Sequence, residues 1–260
     1  MSLSIDLSDK IVFISGGVSG IGLGIAQVFA QAGAQVIVCA ELEETHPLVY
    51  RLKDSLGSSL WHYYKADVTD VAVIETMVKN IQSTYGKIDV LVSNAGKNIF
   101  SPVEECTQED WNFNQKLNLE AHWQLAKAIK PLLAASGDAL VVLIGSNHAF
   151  SSMPGCFPYS VAKAGLLAMV RSIAMEWGPG IRAVGIAPGF IDTPGNQEWF
   201  DSFDDPIVAR ANTVNLHPVK RLGTAEEIGG WCVFLASKYG AFANGTTYLI
   251  DGGRSALMQD

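Results

Sequence analysis

Six short apolar runs recur along the chain at wide intervals. They are "IVFI" at 11–14, "VIVC" at 36–39, "IDVLV" at 88–92, "LVVLI" at 140–144, "VGIA" at 184–187 and "TYLI" at 247–250. Each is short, often β-branched and not alternating, the pattern of strands buried on both faces of a parallel sheet. "WHYYKADV" at 61–68 is a weaker seventh. Helix-length patterns separate them, at 20–32, 43–56, 70–85, 107–135, 158–177 and 225–238. Strands that alternate with helices imply right-handed βαβ units and a doubly wound α/β fold. No linker, repeat or low-complexity stretch interrupts the series, so residues 1–260 are expected to form a single domain with a seven-stranded parallel sheet. The longest stretch without a clear pattern runs from Thr193 to His217, and patternless loops of that length inside a domain usually serve function.

Composition narrows the function classes. A formal charge of −8 with no lysine/arginine cluster argues against nucleic acid, whose phosphates need a basic footprint. The four cysteines, Cys39, Cys106, Cys156 and Cys232, show no C-x-x-C spacing. They read as buried free thiols in a reducing compartment, with neither a disulfide framework nor a metal site expected. The first ten residues carry acids where a signal peptide has bases, and no apolar run is long enough to span a membrane. A cytoplasmic protein without a membrane segment is expected.

The first strand is followed by "SGGVSGIGLG", which places Gly16, Gly20 and Gly22 on a strand–turn–helix. Missing side chains there admit a diphosphate to backbone N–H groups, and the helix adds the positive end of its dipole. The spacing G-x-x-x-G-x-G, led by Ser15, resembles the fingerprint of the short-chain dehydrogenase/reductase family, in which threonine is usual at position 15. The resemblance continues in order along almost the whole chain. "ADV" (Asp67, Val68) is similar to the family's adenine-binding pair, and "SNAG" (Asn94, Ala95, Gly96) to its N-N-A-G. "LNL" holds Asn118, "IGS" ends at Ser146, "YSVAK" carries Tyr159 and Lys163, and "APGFIDTP" and "DGG" complete the series. The family often has asparagine four residues before Pro188; here it is Val184, a change expected to touch a structural hydrogen bond and not the chemistry.

The resemblance implies a nicotinamide coenzyme held by Gly16, Ser19, Gly20, Ile21, Gly22, Asp67, Val68, Asn94, Ala95, Gly96, Pro188, Gly189, Ile191 and Thr193, together with Tyr159 and Lys163. A free ribose 2′-hydroxyl suits a carboxylate, whereas a 2′-phosphate needs a cation. The usual carboxylate position is Ala40, but Glu41 follows at once, then Glu43 and Glu44, and neither Ser19 nor this stretch offers a cation. NAD is favoured over NADP.

Tyr159 and Lys163 lie at i and i+4 of a helix opened by Pro158, so they share a face. A phenol titrates near 10, and an ammonium a few ångströms away supplies about 4 kcal/mol at an effective dielectric near 20, enough to bring it towards neutrality. Ser146 closes the fifth strand run, where doubly wound folds place ligands, and its hydroxyl can hold a substrate oxygen. The competing reading, a serine protease-like nucleophile, fails because no G-x-S-x-G elbow surrounds Ser146 and a coenzyme fingerprint would have no role there. By the resemblance Tyr159 is the general acid/base, Ser146 holds the substrate oxygen, Lys163 tunes Tyr159 and binds the nicotinamide ribose, and Asn118 supports a water relay. The alternative for Asn118 is a helix residue that satisfies neighbouring backbone.

Substrate contacts are expected from Ser146, Asn147, His148 and Tyr159, and from Trp199 in the loop after Thr193. That loop mixes Trp199, Phe200 and Phe203 with Asn196, Gln197, Glu198 and Asp201, which suits a polyhydroxylated substrate. Its T-P-x4-W pattern resembles sugar-oxidising members. The alternative is that the aromatics only seal a lid. The enzymatic runner-up is a 3-oxoacyl-thioester or other carbonyl reductase. A non-catalytic NAD-binding regulator or scaffold is the reading from another class. The resemblance further implies a homotetramer built on helices 107–135 and 158–177 and the last strand.

Overall fold

The computed structural model describes residues 4–257; the first and last three residues of the 1–260 span lie outside it. In chain order the elements are β1 (Ile11–Ser15), α1 (Gly20–Gln31), β2 (Gln35–Ala40), α2 (Pro47–Leu56), β3 (Trp61–Lys65), α3 (Val71–Tyr85) and β4 (Val90–Ser93). A two-residue β5 (Phe100–Ser101) precedes α4 (Gln108–Gln115), a π-helical turn at Lys116–Glu120, and α5 (Ala121–Ser136). There follow β6 (Ala139–Ile144), a two-residue β7 (Phe157–Pro158), α6 (Tyr159–Trp177), β8 (Ile181–Pro188), α7 (Pro194–Asp201), α8 (Pro206–Asn215), α9 (Ala225–Ala236) and β9 (Thr247–Ile250).

All seven expected strands form one sheet, in the order β3-β2-β1-β4-β6-β8-β9. Every pairing in it is parallel. The chain starts at the centre, winds out through β2 and β3, then returns to β4 and winds the other way. The order reverses between β1 and β4, so a crevice opens beyond their C-terminal ends, where this class of sheet binds ligands. The five inner strands, β2, β1, β4, β6 and β8, are buried on both faces because helices cover both, whereas the edge strands β3 and β9 are only partly covered. One apolar core lies under α1, α2 and α9, and a second under α3, α5 and α6. Val184 is fully buried in β8 and belongs to the first core, where an asparagine amide would have to find partners.

Three expectations need correction. The stretch from Thr193 to His217 is not a patternless loop, because it folds into α7 and α8. Thr193 and Asp205 cap these helices through their side chains, each with proline in the first turn. The helix expected over 107–135 is divided by the π-helical turn. The thiols are free, but only Cys39, Cys156 and Cys232 are buried, whereas Cys106 is half-buried before α4. Among the described residues, no helix is long and apolar enough to cross a membrane, and no cluster of His, Cys, Asp or Glu could hold a metal ion.

Candidate active site

The glycine turn after β1 is locked to the loop after β4 by one hydroxyl. Ser15 Oγ accepts from the backbone N–H of Asn94 (3.0 Å) and of Ala95 (3.1 Å). Asn94 Nδ2 returns bonds to the carbonyls of Ser15 (3.0 Å) and Gly16 (3.2 Å). A β-carbon at Gly22 would collide with the Gly16 carbonyl oxygen, so this position admits only glycine. Gly20 has φ +53°, and the nearest atom to an added β-carbon there would be the Thr193 methyl at 3.7 Å. The turn and the segment after β8 thus face each other across the crevice.

These residues fit a diphosphate. The ends of α3, α4, α7, α8 and α9 are capped by Asp70, Thr107, Thr193, Asp205 and Thr224. At α1, Ser19 makes no side-chain cap and the first turn holds no acid, so the leading N–H groups at Gly20, Ile21 and Gly22 stay open to an anion. Asp67 Oδ1 accepts from Thr69 N and Oγ1, both at 2.8 Å, which fixes the Asp67–Val68 corner, with Val68 buried. Gly189 donates to the Ile250 carbonyl (2.9 Å) and packs so closely on Asp251 that a β-carbon would clash. Ile191 is buried and pairs with Gly223. Behind the segment from Gly189 to Ile191 lies a cavity of about 580 Å³ lined by His217, Trp231 and Phe234, apart from the Ser146–Tyr159 centre.

At the ribose end Glu41 is exposed just past β2. The Tyr63 hydroxyl donates to the carbonyls of Ala40 (3.1 Å) and Leu42 (2.6 Å), which braces the loop that carries Glu41. The sequence reading found no cation here, and the structure supplies one. Lys65, in register with Ala40 across β2–β3, forms an ion pair with Glu43.

Ser146, Tyr159 and Lys163 converge beyond β6, all buried. Lys163 Nζ donates to the Ile144 carbonyl (3.1 Å) and stands 5.7 Å from the centroid of the Tyr159 ring. Burial pushes the Tyr159 phenol up to about 12, and the Ser146 hydroxyl beside it pulls the other way. Burial also lowers Lys163 to about 8. The expected fall of the phenol towards neutrality is therefore not what the protein alone produces, because in this dry pocket the cost of forming a phenolate outweighs the help of the Ser146 hydroxyl. Alone, the pair holds Tyr159 as a proton donor.

Asn118 is fully buried in the π-helical turn, and its side chain is spent. Nδ2 donates to the Lys97 carbonyl and to Asn114 Oδ1, both at 2.9 Å, and Oδ1 accepts from Lys97 N at 3.1 Å. A β-carbon on Gly96 would sit 2.9 Å from Asn118 Oδ1 and 3.4 Å from Lys163 Nζ. The Asn118 side chain therefore holds the 96–97 backbone beside Lys163.

Asn147 and His148 form a helical turn capped by Ser146 Oγ, which accepts from His148 N at 3.2 Å. The His148 ring lies 6.1 Å from the Tyr159 ring, centroid to centroid, and its basicity is lowered by burial and by the charge of Arg254. Trp199 packs against Phe190, Phe200 and Phe203, ring centroids 4.8–5.5 Å apart. Asp192, bound by Arg210 and Gln197, ties α7 to α8. Sequence reasoning missed Phe100, whose ring meets Tyr159 edge-on at 5.3 Å and His148 at 5.9 Å. It reaches them through the β5–β7 ribbon, which no motif announces.

Comparison with known proteins agrees with the fold. The family model described as enoyl-(acyl carrier protein) reductase, of the short-chain dehydrogenase/reductase type, matches residues 16–255. The chain belongs to the short-chain dehydrogenase/reductase family. It is 32% identical to oxidoreductase UcpA of Salmonella typhimurium over 253 residues, 95% of each chain. It is 31% identical to the 3-oxoacyl-[acyl-carrier-protein] reductase FabG of Thermotoga maritima over 248 residues, 95% of this chain and 98% of that one. The ligand-free structure of Thermoplasma acidophilum aldohexose dehydrogenase superimposes with a TM-score of 0.87 at 26% identity, covering 98% and 96% of the two chains. As a member, this chain is an oxidoreductase that uses a nicotinamide coenzyme.

Proposed function

We propose that this protein is an NAD-dependent dehydrogenase that oxidises a secondary hydroxyl or hemiacetal carbon of a sugar or polyol. The observation that carries the reaction is the buried convergence of Ser146, Tyr159 and Lys163 at the strand ends beside an uncapped glycine turn. The bound coenzyme supplies the hydride acceptor. Ser146 Oγ donates to the substrate oxygen and shares the negative charge that develops on it. Tyr159 exchanges the proton of that oxygen, Lys163 places a positive charge beside the ring and donates to the ribose, and Asn118 keeps the 96–97 backbone against Lys163. Asn147 and His148 form one wall of the substrate space and Phe100 another, with the Trp199 cluster as its lid. A phenol held high makes Tyr159 a better acid than base, so oxidation by this pair gains rate as pH rises.

NAD is supported by Glu41, Glu43 and Glu44 at the ribose end, since Lys65 is already engaged by Glu43 and a 2′-phosphate would face the remaining carboxylates. The sugar reading is supported by the likeness to the aldohexose dehydrogenase. The second reading, reduction of a 3-oxoacyl thioester, is favoured by the FabG likeness. The chain is read as one catalytic domain over 1–260, a homotetramer, and a cytoplasmic protein, which four free thiols suit. Reduced-coenzyme formation across aldoses, polyols, hydroxysteroids and 3-hydroxyacyl thioesters, with NAD and NADP at equal concentration, tests the assignment. Turnover confined to a thioester, or faster with NADP, would overturn the corresponding part.

A further inference from the structure

One helix of the fold is held by very little that it buries. None of the residues of α8 is buried, and Ile207 on it is 81% exposed. Among the described residues, α7 is the only helix or strand that it packs against to any extent. Such an element sits at the low-stability end of a structure, where local opening costs least. Apart from the bonds that close its own two ends, the hydrogen bonds that tie it to the rest of the described residues come from Arg210.

Arg210 grips Asp192 as a fork. Nη1 donates to Oδ1 at 3.3 Å and Nη2 donates to Oδ2, while the guanidinium stands 5.6 Å from the centroid of buried Phe200 on α7. A two-pronged bond to a carboxylate is the geometry in which a partly exposed ion pair counts. It holds the Asp192 carboxyl below its ordinary range. Gln197 of α7 donates to the same Oδ1, so both helices hang from one side chain. Asp192 is a fixed post, because its N–H donates to the Gly223 carbonyl (2.8 Å) and Ile191 pairs with Gly223. The post stands at the crevice. Thr193, the next residue, caps α7 and supplies the nearest atom, at 3.7 Å, to a β-carbon added on Gly20 in the glycine turn.

We propose that Arg210 is a positioning residue for the coenzyme: its fork on Asp192 docks α8 onto the corner of chain that walls the crevice opposite the glycine turn. Docked, α8 holds the start of α7, and with it Thr193, against the space a coenzyme fills. Released, α8 leaves that corner to Gln197 and the Gly223 bonds alone, and the wall loosens. A coenzyme that needs the wall in place favours docking, and docking favours the coenzyme by the same factor. The inference rests on the crevice beside the glycine turn being the coenzyme site and on no choice of substrate.

The test needs no substrate, so its failure is distinct from a failure of the sugar reading. Amide hydrogen exchange of the full chain is followed by mass spectrometry, alone and with NADH, or with NADPH should that bind more tightly. Arg210→Met keeps a stem against Phe200 and removes the fork. In that variant exchange over 206–215 speeds up by about fivefold, the upper range for a partly exposed ion pair, while the sheet is unchanged. Its dissociation constant for the reduced coenzyme, read by fluorescence, rises by about the same factor. Arg210→Lys, a point charge without the fork, recovers part of both losses. Asp192→Asn reproduces them, and adding Arg210→Met to it costs little more. Faster exchange with coenzyme affinity unchanged would make the ion pair merely structural and overturn the proposal. Unchanged exchange over 206–215, or losses that add in the double variant, would overturn it as well.

Discussion

Replacing Lys163 by methionine separates the catalytic worth of the buried charge from its cost to the fold. Nζ stands 5.7 Å from the Tyr159 centroid, which at an effective dielectric near 20 corresponds to about 3 kcal/mol in favour of the phenolate. Losing it should reduce turnover roughly a hundredfold, before any loss of ribose binding. Stability should move the other way. Burial lowers Lys163 from its ordinary 10.5 to about 8, so below about 8 the fold carries the full cost of a desolvated ammonium, about 3 kcal/mol. Between about 8 and 10.5 the unfolded chain binds the extra proton, and stability rises with pH across that window. Methionine removes the cost but strands the Ile144 carbonyl, a loss of about 1 kcal/mol. The variant should therefore be more stable than the parent by about 1–2 kcal/mol at neutral pH, with the advantage gone above about 10.5. Urea melts at a series of pH values, paired with initial rates, give both numbers. A methionine variant that is less stable at neutral pH, or that keeps a tenth of the parent turnover, would refute the reasoning.

Gly22→Ala should abolish coenzyme binding, read by quenching of intrinsic fluorescence, because the new methyl meets the Gly16 carbonyl in the turn itself. Phe100→Ala should raise the KM for substrate several-fold, leave coenzyme affinity unchanged and broaden substrate acceptance, since it removes an edge contact to Tyr159 and His148. Ser146→Ala should lower kcat by about a hundredfold, as for other lost donors to a developing oxyanion; an unchanged rate would remove it from the mechanism.

The five inner strands were legible because a strand buried on both faces must be apolar throughout, the edge strand β3 was weaker because it is only partly covered, and the glycine turn stood out because a side chain there meets backbone or needs a strained φ. Ser146, Tyr159 and Lys163 could be placed in one site because strand ends and the i, i+4 rule are local geometry. The missed features depend on what packs from elsewhere. Phe100 meets Tyr159 through a two-residue ribbon too short to carry a pattern, and Lys65 reaches Glu43 only through the β2–β3 register. The Thr193-Pro194 and Asp205-Pro206 pairs were a readable signal for α7 and α8, but their aromatic and acidic content drew attention to ligand contact instead. The phenol's direction of shift was misjudged because the lysine's charge is visible in sequence and the depth of burial around both groups is not.

The central claim is that Tyr159 exchanges the substrate proton in an NAD-dependent oxidation. Initial rates of reduced-coenzyme formation should be compared for the parent and Tyr159→Phe on the best aldose or polyol found, with NAD affinity measured alongside. The account predicts a loss of at least about a thousandfold in turnover, the upper range for general acid/base groups, with NAD still bound. A phenylalanine variant that turns over within tenfold of the parent would contradict it.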